Sequence, residues 1–374
     1  MRTCITGLGM VSALGYGVVG SCAAMRAGIS RPRPLAGCVV EDGEGGAEPA
    51  KGYPASCYAE GFFQAGAWVR LAAGSFEDML HASALPSPSS LDFWRRTGLI
   101  VLAPIIDQNR FLWSLETQPV ALLEFYARPL IDLLGIPVAN SFVRALGSGH
   151  CGLAEAIQLA QAELATRRLD RVVILGADSY IDPLSLDWLA QHRRLKTPTR
   201  QTGTLPGEAG ACLLLESESS ARQRGATIGA HVEAVAWDGP LNETQPSAPG
   251  LGLALAEMLK RSVLGPVLEE PFRGEVLLDL NGEEWKAHAW GHAQVRLTQH
   301  IDFNQCRFVL PCESLGEIGA ASGPVAVCMA ISSFVQKDTP PERAIVCSVS
   351  DTRRVAAVLL GRAPQARPIT TARS

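Results

Sequence analysis

The sequence has no apolar run of the roughly 18–20 residues that a spanning helix needs without a charge or a break inside it. A membrane protein of the helical kind is therefore not expected. It also has no basic excess: 33 Lys and Arg stand against 37 Asp and Glu, a formal net charge of −4. A nucleic-acid binder needs a basic stripe to neutralise phosphates, so that class is set aside. There is no CxxC pair. The ten cysteines are scattered, and several, such as Cys212 in ACLLLE and Cys328 in VAVCMAI, sit inside apolar stretches. Buried free thiols in a reducing cytoplasm fit this spacing, and a disulfide framework or a zinc knuckle does not. Internal repeats and low-complexity tracts are missing as well. The 36 Gly and 24 Pro follow no period, which excludes a collagen-like chain and suits many short connections.

What is present is apolar. Of 374 residues, 47% are hydrophobic and only 19% charged, enough for a large buried core in one large domain or two ordinary ones. The first 22 residues carry one Arg, an apolar stretch and a small-residue end at Cys22, an outline like a lipoprotein signal. Five glycines interrupt it, so a strand, a Gly-rich turn and a helix over residues 18–27 read better. Short apolar strand signals fall at residues 3–7, 98–103, 171–176, 209–216, 274–280, 307–310, 344–348 and 354–360. Between them lie helical patterns, clearest in CGLAEAIQLAQAELAT over residues 151–166. This alternation predicts an α/β protein with sheets covered on both faces. Of the polar stretches at 41–52, 87–90, 196–203 and 241–250, the last is the best boundary between two halves. Residues 363–374 read as a loose tail.

Four segments, in order, resemble the β-ketoacyl synthase family of the thiolase-like fold. Residues 5–15, ITGLGMVSALG, look like its opening strand and turn. ALGSGHCGLAEA (145–156), followed by the strand RVVILGAD (171–178), resembles its nucleophile elbow and the helix behind it. LPGEAGACLLLE (205–216) is similar to its PGEGA-type strand, and ESLGEIGAASG (313–323) to its KSxxGHxxxAAG stretch. The resemblance spans most of the chain. It implies two similar βαβαβαββ halves in a five-layer αβαβα sandwich, residues 1–240 and 251–362, with inserted segments around 41–95 and 105–135. It also implies acyl-thioester chemistry without a cofactor, in which a Cys takes the acyl chain and two His stabilise charge as a malonyl thioester loses CO2. The physics is general: a thiolate at a helix N-terminus has a lowered pKa, and donors aimed at a thioester oxygen stabilise the enolate.

Residue by residue, the family's reactive groups are replaced. The register supported by Ser148, Gly149, Leu153, Glu155 and Ala156 puts Leu146 at the nucleophile position. A rival register, based on the distance to the strand at Val172, puts Cys151 there. DLNGE (279–283) stands where the family has NAHGT, so Asn281 takes one His position, and Glu317 takes the other. Glu313 replaces the Lys of KSxxGH, and SVSDTRR (348–354) replaces the GFGG loop. His150, at a helix N-terminus, is a candidate general base or acyl-group ligand, with a hydrogen-bonded His in a crowded turn as the plain alternative. Ser148 reads as a helix N-cap or a substrate contact. Asn281 is able to donate to a carbonyl as His would, whereas an ionised Glu317 would repel an enolate. Asn281, Glu283 and Glu317 would converge, and two carboxyls facing one pocket push one pKa up. Their alternative is ion pairing with Arg353, Arg354 or Lys286. HAWGH (288–292) has two His at i,i+4, yet Trp290 and Gly291 read as strand or loop, so no metal is expected. Tyr180 and Trp188 read as packing residues.

Two functions follow. One is a non-condensing subunit similar to chain-length factors, paired with an active ketoacyl synthase, although those carry Gln where Leu146 stands here. The other is an acyltransferase or thioester hydrolase using Cys151 or His150 with Asn281 and Glu317. A stand-alone binder of a small acyl ligand is a third. Each expects an acyl-carrier protein or acyl-coenzyme A as partner, a homodimer or heterodimer, a cytoplasmic location and no metal, membrane or nucleic acid.

Overall fold

The computed structural model describes residues 2–106, 108–111, 118–238, 247–336 and 340–364. Ten strands run in one path: β1 Thr3–Ser12, β2 Thr97–Leu102, β3 Val143–Leu146, β4 Arg171–Ser179, β5 Glu208–Ser217, β6 Ala230–Asp238, β7 Glu275–Leu278, β8 Arg307–Val309, β9 Arg343–Val349 and β10 Val355–Arg362. Their order across the sheet is β8-β7-β9-β10-β6-β1-β5-β4-β2-β3. The path is two copies of one pattern. Counted within each half, the order is third, second, fourth, fifth, first. The second strand runs parallel to the third and fourth in both halves. The fifth is antiparallel to its neighbours in both. The first strands of the halves pair with each other, Thr3 to Val232, Cys4 to His231 and Ile5 to Ala230.

Five main helices complete the layers: α1 Ala65–Ala82, α2 Gly152–Ala165, α3 Ala248–Met258, α4 Glu284–Leu297 and α5 Ser322–Phe334. The strands are mostly apolar, with their charged residues largely at their ends, and period-2 alternation sends neighbours to opposite faces. Val172 and Ile174 join one core and Val173 and Leu175 another; likewise Val358 and Leu360 separate from Ala357 and Leu359. The shared central core holds α2 and α5 between the two halves of the sheet. α5 is apolar all round, and every residue of it but Ser332 is buried, as a helix without a polar face must be. α1 covers the outer face of the first half, and α3 and α4 cover that of the second. This is the five-layer αβαβα sandwich of two similar halves.

Several elements differ from their sequence reading. β6, the strand joining the halves, is not signalled, and neither is β3, a four-residue edge. HAWGH lies in the middle of α4 and is helical. Ala289, Trp290 and Ala293 bury one face against α3 and the sheet, and this burial outweighs the weak helix preference of Gly291 and Trp290. The stretch 41–95 contains α1. Most of the expected boundary at 241–250 and of the tail at 363–374 falls outside the described residues. Among the described residues no helix is long and apolar enough to cross a membrane.

Candidate functional site

The heads of the two central helices meet where the halves face each other. After β3 the chain makes a one-turn 3-10 helix, Gly149–Cys151, that feeds α2. A matching turn, Gly319–Ala321, feeds α5. Both open on a glycine with positive φ, 52° at Gly149 and 45° at Gly319. A Cβ at Gly319 would lie 1.9 Å from a carboxylate oxygen of Asp178, so only glycine brings the two halves this close.

This approach places His150 of the first half against Glu317 of the second. His150 Nε2 is 2.8 Å from Glu317 Oε1. The same oxygen accepts the Gly319 N–H at 2.7 Å. Glu317 Oε2 accepts from Asn281 Nδ2 and lies 4.0 Å from Lys286 Nζ. Asn281 gives its amide to Glu283 as well, at 2.8 Å, and its oxygen accepts the Glu283 N–H. Arg194 then grips Glu283 with two bonds of 2.6 and 2.7 Å and Asp351 with two of 3.0 and 3.1 Å. Behind Glu317, Lys286 bonds the Asp279 carboxylate at 3.2 Å. His150, Glu317 and Lys286 are each at most 3% exposed. A buried charge is tolerable only when paired and hydrogen-bonded, and here each charge has its counter-charge.

The pairing fixes the protonation states. Burial alone would raise the Glu317 carboxyl, but the charges of His150 and Lys286 and the Gly319 N–H hold it well below the carboxylate range. The expectation that one facing carboxyl would be pushed up is corrected for Glu317: it faces two cations. Burial and Lys286 pull the His150 imidazole down, while Glu317, with Asp279 behind it, outweighs them and leaves it above its ordinary value. The sign for stability follows. A raised His contributes fully below its ordinary value of 6.5 and loses that contribution as pH rises through its folded value. A lowered Glu contributes fully above 4.5 and loses it toward acid. The urea-midpoint gap between wild type and His150→Gln is therefore expected to be widest near pH 5.5–6 and to narrow by pH 9. A gap that widens with pH would show that the imidazole is neutral in the fold.

The remaining sequence candidates fall elsewhere. Leu146 ends β3 and packs against the central core. Cys151 is 2% exposed, and its thiol faces the backbone oxygens of Arg354 at 3.4 Å and Ser348 at 3.8 Å. Burial, with the Asp279 charge, pushes it up to about 12, so it is a thiol and not a thiolate. Ser148 does not cap the helix with its side chain; Oγ donates to Glu155 at 2.5 Å, and Glu155 lies 3.8 Å from Arg354. Glu313 is exposed; its N–H donates to the Leu310 carbonyl at 3.1 Å and its carbonyl accepts from the Tyr53 hydroxyl at 3.3 Å. His288 and His292 sit one turn apart on α4, and among the described residues no group of three or more His, Cys, Asp and Glu is placed to hold a metal. Of the expected ion-pair partners only Lys286 reaches Glu317. Arg194 and Asp351 escaped the sequence reading because they lie in loops far apart in the chain. Asp279 and Lys286 left a signal, an acid and a base seven residues apart across a strand end and a helix start.

No protein-family model matches the sequence, and no curated protein matches it. Solved structures do match. A ketosynthase domain, OzmH KS7 of oxazolomycin from Streptomyces albus JA3453, superposes with a TM-score of 0.74 at 16% identity, over 98% of this chain and 75% of that one. The type II polyketide complex AntDE:AntF, an acyl-carrier protein with its ketosynthase bound to the hexaketide, gives 0.73 at 17%, over 97% and 99%. The ishigamide ketosynthase/chain length factor gives 0.72 at 18%, over 97% and 99%. The chain therefore has the thiolase-like fold of ketosynthases, with His150, Asn281 and Glu317 gathered where its two halves meet.

Proposed function

We propose that this protein is a ketosynthase-like subunit of polyketide or fatty-acid assembly that does not itself condense, and that it works beside an active ketosynthase and an acyl-carrier protein. The observation that carries this reading is the closed ion network. His150 has its Nε2 bound, and Asn281 spends its amide on two carboxylates. Glu317 puts a fixed negative charge where an enolate would need donors. A side chain whose polar hydrogens are already bonded offers little to a substrate carbonyl, and no ionised thiol stands nearby. The fold likeness to a ketosynthase/chain length factor and to a carrier-protein complex supports the choice of partners. So does the edge of the first half: among the described residues β3 ends the sheet, with Arg144 exposed and the exposed Val120 on a helix packed against that strand. An unpaired edge of this kind is suited to taking another chain.

The test uses an acyl-pantetheine thioester probe followed by intact-mass analysis, together with co-purification from cells expressing an active ketosynthase. The expected result is no covalent adduct and a stable complex. An adduct on Cys151 would instead support acyl transfer or thioester hydrolysis, a reading the buried, un-ionised thiol disfavours.

A further inference from the structure

The head of α5 adjoins the ion network. Its tail, 13 residues on and roughly 18 Å away at about 1.5 Å per residue, borders a separate groove of about 580 Å³. The groove forms because β6 pairs with β1 only at Thr3, Cys4 and Ile5, so past Ile5 β6 no longer covers that edge of β1. The Leu8 N–H there donates to the Ser83 hydroxyl at 3.3 Å. Ile5 and Leu8 of β1, Ile331 and Val335 at the tail of α5, and Val18 and Val19 of the helix Val18–Arg26 line it. Val19 and Val335 are 75% and 64% exposed, a large apolar surface to leave in water. The volume lies within the range of roughly 300–1,000 Å³ common for small-molecule sites.

Among the described residues that line the groove, the one charged side chain is Arg224. Its Nε and Nη2 bond Glu216 at 3.0 and 2.6 Å, and its Nη1 has no hydrogen bond among the described residues. A quarter of the Arg224 side chain is exposed, while Glu216 is fully buried. Glu216 is shared: Arg171 Nε donates to it at 3.2 Å and the Thr6 hydroxyl at 2.6 Å. Arg171 also lies 3.8 Å from Asp170, but Arg96 already holds that carboxylate with bonds of 2.7 and 2.8 Å. Three guanidiniums, of Arg96, Arg171 and Arg224, thus share two carboxylates. Next along the chain, Glu218 is likewise shared by Arg222 and Arg2. A surplus of cations beside an apolar groove suits a ligand with one anionic end and one apolar end. We propose that the groove binds a free medium-chain alkyl carboxylate, its chain against Val19, Ile331 and Val335 and its head on the open edge of the Arg224 guanidinium, whose planar donors match a carboxylate. This goes beyond the partner reading and does not depend on it. The groove lies at the far end of α5 from His150 and Glu317, and its ligand is measured on the chain alone.

The test is a calorimetric titration of the full chain with octanoate, octan-1-ol and acetate, each below the concentration at which it self-associates. The expected result is one saturable site for octanoate, binding of octan-1-ol about threefold to tenfold weaker, the effect of one charge-assisted hydrogen bond, and no saturation by acetate. Arg224→Gln should bring octanoate down to the level of octan-1-ol. Val335→Asp, which places a like charge on the exposed rim, should weaken octanoate about threefold or more. Equal affinity for octanoate and octan-1-ol in wild type would overturn the anionic head. Octanoate binding that Val335→Asp leaves unchanged, or no saturation at all, would overturn the site. Co-sedimentation with phosphatidylglycerol vesicles, or a dimer that Val335→Asp dissolves, without octanoate uptake would overturn the ligand and reassign the groove to a membrane or to a second copy. Because Val335 is exposed, its variant decides the matter even if Arg224→Gln does not fold.

Discussion

Glu317→Leu is expected to lose about 3–5 kcal/mol of folding stability, the usual result of removing one partner from a buried charge cluster. The carboxylate satisfies His150, the Gly319 N–H and Asn281 together and lies 4.0 Å from Lys286. Leucine of similar bulk would leave an imidazolium and an ammonium facing each other in a site that excludes water. Glu317→Gln keeps the shape and two acceptor positions on one oxygen, and should lose distinctly less. Urea unfolding at pH 6 measures both. A Glu317→Leu midpoint equal to that of wild type would mean that the halves are held without this network.

The second large effect concerns reactivity. His150→Cys alone is expected to remain inert to iodoacetamide, because the Glu317 carboxylate beside it would hold the new thiol un-ionised. His150→Cys combined with Asn281→His and Glu317→His replaces that anion with donors at a helix N-terminus. Alkylation at position 150 should then accelerate by roughly tenfold for each unit of thiol pKa recovered. Leu146→Cys with Asn281→His should gain no labelling above background and no condensation, since residue 146 packs against the central core at the end of β3 and Glu317 remains. Rapid labelling at 146 but not at 150 would mean that the helix head points a different residue at the site. Peptide mapping distinguishes these thiols from the ten native cysteines, of which Cys57 is exposed.

The layered α/β sandwich was legible because its strands and helices carry strong local patterns: RVVILGAD and ACLLLE are apolar at nearly every position, and 151–166 is rich in helix formers. β6 was not legible, since AHVEAVAWD mixes Glu233 and half-exposed Ala234 into a strand whose pairing is set by distant partners. The shared topology of the halves came only from the family resemblance and not from any internal repeat, because a fold pattern constrains burial and not residue identity. At the site, Asn281, Glu283 and Glu317 came from matching short motifs, and the structure does bring them together. The residue they meet is His150, the neighbour of the thiol the rival register had favoured. A gap of one residue at a 3-10 turn rotates a side chain by about a third of a turn, which motif spacing does not resolve. Arg194 closes the network from a loop, where only three-dimensional proximity to Glu283 and Asp351 reveals its part.

The central layer has a consequence for biosynthesis. The inner face of the first sheet is covered partly by α5, whose residues are the last helix before β9. At roughly 5–20 residues per second, a ribosome delivers that helix on the order of ten seconds after β5 has emerged. During that wait Ala211, Leu213 and Leu215 have no lid on the α5 side. A nascent chain in this condition is a natural client for a chaperone, and termination before residue 334 would leave the inner face of the first half uncovered and the second half without β9 and β10, rather than yield a soluble first half.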